Sequence, residues 1–137
     1  MQQLELTPLQ KTIKDLVLTI PDPEILKNLP YHVYLSQFRT FAFRLPRLTG
    51  KTSLIADIAT HLIEHGRNPL IIVHFESYKD MYPKYLHKYI KAMGPSLVGL
   101  TADAVFLDEI DWGGDSYTAE NKETYFKLRL YTPTPGN

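Results

Sequence analysis

Apolar residues recur at helical spacing in two clear segments of the chain. The first segment follows Thr7-Pro8, a capping residue followed by proline at the first helical position. Its apolar positions are Leu9, Ile13, Leu16 and Val17, and those of the second segment are Leu54, Ile55, Ile58, Leu62 and Ile63. Gly66 is well placed to end the second helix. Shorter helices are predicted at 22–28, at about 80–93 and at about 118–126.

Short apolar runs predict four strands, at about 40–45, 70–75, 104–108 and 128–132. The uninterrupted run at 70–75 is typical of a strand that is buried on both faces. Strands that alternate with helices favour a parallel arrangement. We therefore predict an α/β fold with a mostly parallel sheet of about four strands flanked by helices, and with a ligand at the carboxyl ends of the strands.

Composition limits the functions that are open to the chain. Its 137 residues are predicted to form a single domain over 1–137. Fifteen basic and fifteen acidic residues cancel, so no overall charge recruits nucleic acid or a membrane. The absence of cysteine excludes disulfides, thiol catalysis and zinc-thiolate sites. Without a signal peptide or a long apolar run, the chain is expected to be soluble and cytoplasmic, with no membrane partner.

The loop after the first predicted strand has the layout of a phosphate-binding loop. It ends in Gly50-Lys51-Thr52-Ser53 as a helical pattern begins, and a helix start offers free N–H groups and partial positive charge to a phosphate. Lys51 would reach the β and γ phosphates of ATP, and the Thr52 hydroxyl would hold Mg²⁺. The predicted nucleotide-binding residues are Pro46, Arg47, Leu48, Thr49, Gly50, Lys51, Thr52 and Ser53.

This loop departs from the G-x-x-x-x-G-K-[ST] pattern at one position, because Leu45 stands where the first glycine is usual. Gly-Lys-Thr on its own also fits an ordinary helix start with a solvated lysine. The preceding strand and the following amphipathic helix favour the phosphate-binding interpretation.

A second motif lies at the end of the third predicted strand, where Asp108 and Glu109 follow four apolar residues. In a parallel sheet this is the edge that presents ligands. Asp108 would orient the hydrated Mg²⁺, and Glu109 would polarise the water that attacks the γ phosphate. A strand that ends in a solvated acidic turn is the alternative, but the combination with Gly50-Lys51-Thr52 favours a nucleotide site.

The segment before the first strand, within an N-terminal helical part at 1–38, is aromatic and polar. In nucleotide-binding folds the segment just before the phosphate loop often contacts adenine, so Tyr34 and Gln37 are candidates for the adenine side of the site. Packing at the surface beneath a loop is the alternative for both residues. The phosphate-loop core would then occupy 39–137.

Three stretches resemble the large terminase subunits of tailed bacteriophages, the ATPases that drive DNA into capsids. The stretch 39–53 is similar to their deviant phosphate loop, which also lacks the first glycine and carries an arginine where Arg47 stands. Residues 105–109 resemble their Asp-Glu motif. Thr132, Pro133 and Thr134 are similar to their coupling motif, which links hydrolysis to movement. The three motifs occur in the family's order over about 39–137.

The resemblance implies a P-loop ATPase of the additional-strand catalytic-glutamate class, with ATP and Mg²⁺ as cofactors. It implies that Glu109 is the catalytic glutamate, that Lys51 acts on the phosphates, and that Arg47 is a phosphate-sensing arginine. Its implied partners are double-stranded DNA, other packaging proteins and further copies of the chain, in a host cytoplasm. Family members continue into a nuclease domain that has no counterpart in these residues, so no nuclease activity is predicted.

Two other functions also fit these residues. Residues 108–111 also fit the D-E-x-D motif of helicases, so the chain could be a single RecA-like lobe of a helicase-type ATPase. Alternatively, it could be a nucleotide-binding interaction protein with little hydrolysis, which Leu45 favours. The joint presence of Lys51, Thr52, Asp108 and Glu109 argues against that last hypothesis.

Overall fold

A computed structural model describes residues 6–19, 28–46, 50–94, 97, 99–109 and 123–131. The α-helices in these residues are α1 (Pro8–Leu18), α2 (Tyr31–Phe38) and α3 (Lys51–Glu64). The strands are β1 (Thr40–Pro46), β2 (Pro69–Val73), β3 (Ile90–Ala92), β4 (Ala104–Asp108) and β5 (Glu123–Leu130). Two 3-10 helices, Glu76–Met81 and Lys84–Tyr89, lie between β2 and β3.

The strands form one mixed sheet in the order β1-β5-β4-β2-β3, so the fold is α/β with a five-stranded sheet flanked by helices. β2 is parallel to both β3 and β4, whereas β5 is antiparallel to both of its neighbours, β1 and β4. Consequently β1, β2, β3 and β4 all point one way, and β5 points the other way. The carboxyl ends of β1, β2 and β4 meet at one edge of the sheet.

The main core lies between α3 and one face of the sheet, as the helical pattern predicted. Leu54, Ile55, Ile58 and Leu62 are buried on α3, and the prediction for this helix is confirmed. Phe106 of β4 belongs to this core, whereas the neighbouring Leu107 packs in a smaller cluster with Ile72. This alternation shows which β4 side chains lie on the face of the sheet that α3 covers.

The helix α1 begins as predicted, but only half of its predicted apolar face is buried. Ile13 and Val17 enter the core, whereas Leu9 is 47% exposed and Leu16 is 55% exposed. The helix packs along α3, where Lys14 forms an ion pair with Asp57 at 2.5 Å. The buried stripe of α1 is thus narrower than predicted, and the two outer leucines stay exposed to solvent.

The predicted helix at 80–93 is wrong, and a strand that the sequence analysis did not predict lies within it. Pro83 separates the two 3-10 helices, because proline lacks an N–H group and clashes with a continuing helix. Tyr82, Leu86 and Ile90 are the buried positions, while Met81 and Tyr85 are exposed. The segment then ends in β3, which raises the number of strands from four to five.

The last strand also differs from its prediction, in both extent and direction. β5 begins at Glu123, inside the helix predicted at 118–126, and buries Phe126, Leu128 and Leu130 on alternate positions. Its antiparallel pairing makes the sheet mixed rather than mostly parallel. Alternation predicts a strand but not its direction, because parallel and antiparallel strands share the same period of two.

Some predictions fall on residues that the structure does not describe. These are the helix at 22–28 apart from its last residue, and the part of the helix at 118–126 that precedes β5. Among the described helices, none has both the length and the apolar character needed to cross a bilayer.

Candidate functional site

The carboxyl-terminal edge of the sheet gathers residues from three strands. The loop after β1 leads to Lys51 at the start of α3, while β4 ends in Asp108 and is followed by Glu109. His74 follows the last residue of β2. In open α/β sheets this edge is where ligands bind, because the loops that follow the strands converge there.

The start of α3 depends on Gly50, the residue that caps the helix. Gly50 has a φ of +80°, in the left-handed region that side chains with a Cβ avoid. Its carbonyl accepts hydrogen bonds from the Leu54 N–H at 3.0 Å and from Gln10 Nε2 at 2.9 Å. A Cβ on Gly50 would overlap Gln10 Nε2. The backbone conformation therefore favours glycine, and a Cβ would also displace the Gln10 amide from its bond with Gly50.

Gln10 connects the start of α1 to the start of α3. In the capping box of α1, the Thr7 N–H donates to Gln10 Oε1 at 2.7 Å, and Thr7 Oγ1 accepts from the Gln10 N–H at 3.2 Å. The amide nitrogen of the same buried side chain donates to Gly50. This side chain thus links two helix termini through hydrogen bonds, which positions the turn that carries Lys51.

Lys51 pairs with both carboxylates that follow the strand β4. Its Nζ lies 2.5 Å from Asp108 Oδ1 and 2.8 Å from Glu109 Oε1. The side chains are largely shielded, with 11% of Lys51, 7% of Asp108 and 15% of Glu109 exposed. Shielding from water strengthens the attraction between these charges. One ammonium cannot neutralise two carboxylates, so the trio carries an excess negative charge.

Asp108 also contacts a buried tyrosine from the segment between the two 3-10 helices. The Tyr82 hydroxyl donates to Asp108 Oδ2 at 2.6 Å. Burial raises the pKa of Tyr82 well above its ordinary value, and the Asp108 charge and the hydrogen bond raise it further. Tyr82 therefore remains protonated and donates, so the two oxygens of Asp108 are held from two sides, one by Lys51 and the other by Tyr82.

Glu109 has an unusual backbone conformation for its residue type. Its φ is +62°, and its carbonyl accepts a hydrogen bond from His74 Nε2 at 3.0 Å. The acceptor is a carbonyl oxygen, so the histidine must be the donor. Glu109 thus contacts Lys51 through its side chain and His74 through its main chain.

The structure brings together part of the site that the sequence predicts. Lys51, Asp108 and Glu109 are in direct contact, with Thr52 half-buried and Ser53 exposed on the first turn of α3. Pro46 ends β1. The predicted residues that lie outside the described part of the chain are Arg47, Leu48, Thr49, Thr132, Pro133 and Thr134.

The adenine candidates lie on α2, which precedes the amino-terminal end of β1. Tyr34 is buried there, and Gln37 is exposed. Lys51 follows the opposite end of the same strand. The adenine candidates and Lys51 therefore lie at opposite ends of β1.

Three contacting residues were missed by the sequence analysis. Gln10 has a sequence signal, because Thr7-x-x-Gln10 is a capping box, but that signal does not predict its bond to Gly50. Tyr82 has no local signal, since it reaches Asp108 only through the tertiary fold. The contact of His74 with Glu109 could have been predicted only if the register between β2 and β4 had been known.

The oxygen donors at this edge suit Mg²⁺, which takes one or two carboxylates and keeps several of its waters. Asp108 supplies a carboxylate and Thr52 a hydroxyl at the expected positions of the chain. In the described residues there is no group of three or more His, Cys, Asp or Glu side chains placed to hold a metal.

Comparisons with protein-family models, with curated proteins and with solved structures find no significant match to this chain. The geometry of this edge and the sequence motifs that form it are therefore the basis for inferring a function.

Proposed function

We propose that this chain binds Mg·ATP at the carboxyl-terminal edge of its sheet and hydrolyses it. The observation that carries the proposal is the contact of Lys51, at the start of a helix that follows a strand, with Asp108 and Glu109 at the end of another strand. Lys51 and Glu109 are 58 positions apart in the chain and 2.8 Å apart in space. A cation at a helix start beside strand-end carboxylates provides groups for both phosphate and metal.

Each residue has a distinct role in this proposal. The N–H groups at the start of α3 and the Lys51 ammonium bind the phosphates. Thr52 and Asp108 would hold Mg²⁺, which would supply charge neutralisation at the phosphate oxygens. Glu109 accepts a proton from the water that attacks the γ phosphorus, as the bond from that phosphorus to the ADP oxygen breaks.

The charges of the site predict that nucleotide binding requires the metal. Lys51 is already shared between two carboxylates, so a polyphosphate alone would meet excess negative charge. With a divalent cation held at Asp108, the negative charge would be compensated and Lys51 would be available to bind the phosphates. We therefore expect ATP without Mg²⁺ to bind poorly.

We further propose that the site belongs to a P-loop ATPase related to the large terminase subunits. The motif order along the chain supports this, with Arg47 as the phosphate-sensing arginine and 132–134 as the coupling motif. Double-stranded DNA, packaging proteins and further copies of the chain are the proposed partners. The antiparallel β5 departs from the mostly parallel sheet that the resemblance implies. What supports a P-loop ATPase in the fold is that β1, β2 and β4 run in the same direction, so that their carboxyl ends lie at the same edge of the sheet.

A second candidate is a protein that binds the nucleotide with little turnover. The pairing of Lys51 with Glu109 favours it, because a glutamate that holds the lysine is not positioned to act on a water. The two candidates predict the same binding but different rates of phosphate release.

The decisive experiment measures Mg·ATP binding by calorimetry in the wild type and in Lys51→Met. Loss of the ammonium should weaken binding about 10- to 100-fold, because charge-assisted hydrogen bonds contribute roughly 1.5–3 kcal/mol. Lys14→Met is the matched control, since it removes another lysine from an ion pair at 2.5 Å, away from the sheet edge. Affinity that is equal in all three proteins would disprove the proposed site.

Phosphate release then separates the two candidates, with and without double-stranded DNA. Turnover that DNA stimulates supports the ATPase of the packaging-motor type, and stimulation by single strands instead supports the helicase-type lobe. Tight binding without phosphate release supports the protein with little turnover.

A further inference from the structure

The strand β4 would normally send Asp108 and Glu109 to opposite faces of the sheet, because side chains alternate along a strand. Asp108 lies two positions after Phe106 and so is on the face that α3 covers. Yet Glu109 reaches the same Lys51 ammonium as Asp108 does. The left-handed conformation of Glu109 interrupts the alternation at this residue.

That conformation costs free energy for any residue with a Cβ, so neighbouring groups must hold it. Within the described residues, Glu109 is the non-glycine residue with a positive φ. Strain of this kind persists only where the surrounding structure maintains it, and it is concentrated at functional sites. A group that contacts the Glu109 main chain is therefore of special interest.

The register of the sheet places His74 beside Glu109. β2 and β4 are parallel, and their paired residues, from Pro69 with Ala104 to Ile72 with Leu107, lie 35 positions apart. His74 and Glu109 continue this spacing one step beyond the ends of the two strands. The backbone pairing itself thus brings the imidazole to the first residue after β4.

The histidine donates to the Glu109 carbonyl through its Nε2–H, at 3.0 Å. This N–H is present both in the neutral Nε2 tautomer and in the doubly protonated ring, so the bond does not depend on the charge of His74. The ring is half-buried, and it lies 6.0 Å from the exposed Phe75 ring, measured between centroids.

We propose that His74 is a positioning residue for Glu109. Its bond to the main chain maintains the left-handed turn and thereby directs the carboxylate toward Lys51. The consequence for turnover rests on the proposed function. When Lys51 moves to the phosphates, it no longer holds the Glu109 side chain, and the main-chain bond from His74 continues to orient the glutamate.

The positioning is tested first without nucleotide. Urea unfolding of Lys51→Met, Glu109→Gln and the double variant gives the energetic coupling between the two side chains. The same cycle is repeated in His74→Ala and in His74→Gln, which keeps an amide donor at a similar reach. We expect the coupling to vanish with His74→Ala and to return with His74→Gln.

His65→Ala is the matched control, because His65 also contacts a backbone carbonyl through a ring nitrogen, at 2.8 Å, but beyond the far end of α3. It should leave the coupling unchanged. A coupling that survives His74→Ala would overturn the proposal. If His74→Ala does not fold, nitrogen NMR of the wild-type ring decides, since an unprotonated Nε2 would equally overturn it.

The second test uses Mg·ATP. In His74→Ala we expect kcat to fall roughly 10- to 100-fold with little change in nucleotide affinity, the effect of a misplaced catalytic group, and His74→Gln should recover most of the rate. Equal losses of affinity and kcat, or no rescue by glutamine, would contradict the proposal. A wild type that binds no nucleotide but loses the coupling in His74→Ala would refute the proposed function and leave the positioning supported.

Discussion

Replacing Tyr82 with phenylalanine tests the buried hydrogen bond between the Tyr82 hydroxyl and Asp108 with a minimal change. The substitution removes one hydroxyl and keeps the ring, so the packing of this buried side chain is preserved. What disappears is the hydrogen bond at 2.6 Å to Asp108 Oδ2. The change in stability therefore reports on this bond with little contribution from a cavity.

The expected magnitude follows from the charge and the burial of the two partners. A hydrogen bond to a charged group contributes about 1.5–3 kcal/mol, and an acceptor left buried without its donor adds a desolvation penalty. Asp108 keeps its contact with Lys51, so the carboxylate stays partly compensated. We expect the free energy of unfolding to fall by about 2 kcal/mol, which for a domain of this size lowers Tm by roughly 5–10 °C.

Urea unfolding measures this loss, and Tyr85→Phe is the matched control. The Tyr85 hydroxyl lies 2.9 Å from Thr60 Oγ1, but this contact is exposed and both partners are neutral. Water can replace the lost bond there, so we expect a change of about 0.5 kcal/mol or less. If the two variants lose the same stability, the Tyr82 hydroxyl does not bind the carboxylate and the reasoning is wrong.

The pH dependence provides a second measurement on the same pair. Because the folded-state pKa of Tyr82 is raised above the ordinary value of 10.0, the stabilisation is fully present below pH 10. It is lost as the pH rises from 10 toward the raised pKa, since the unfolded chain releases its proton first. Tyr82→Phe should remove this part of the alkaline loss of stability. If the free energy of unfolding falls equally steeply with rising pH in both proteins above pH 10, the raised pKa of Tyr82 would be contradicted.

Two further predictions concern Gly50 and Glu109. Gly50→Ala should cost more stability than Gly66→Ala: both glycines have left-handed φ values, near +80°, but a Cβ overlaps Gln10 only at Gly50. The left-handed strain costs each variant about 1–2 kcal/mol, and displacing the Gln10 amide from its hydrogen bond with Gly50 should add about 1 kcal/mol. Urea unfolding measures both variants, and Gln10→Ala should remove the difference; equal losses in the two single variants would contradict the overlap. Glu109→Gln should slow phosphate release by roughly 10² or more, the contribution of a general base. The same change should leave Mg·ATP affinity equal or higher in calorimetry, because it frees Lys51 from one carboxylate, and weakened binding would count against the site.

Local sequence patterns determined about half of the described elements and the residue types at the carboxyl-terminal edge of the sheet. The capping residue Thr7, the apolar face of α3 and the apolar runs of β2 and β4 were predicted close to their observed positions. So was the placement of Lys51 at a helix start and of Asp108 at a strand end. These features depend on backbone sterics, capping and periodic burial, all of which act between residues that are close in the chain.

The tertiary structure alone decided how these elements combine. β5 is inserted between β1 and β4 and runs in the opposite direction. Both features depend on how the strands pair in the folded sheet, which the local alternation of apolar residues does not specify. The contacts of Tyr82 with Asp108 and of His74 with Glu109 join residues that are 26 and 35 positions apart. Such contacts follow from strand register and from the packing of the core. Local sequence patterns therefore could not show that Tyr82 and His74 contact the two acidic residues.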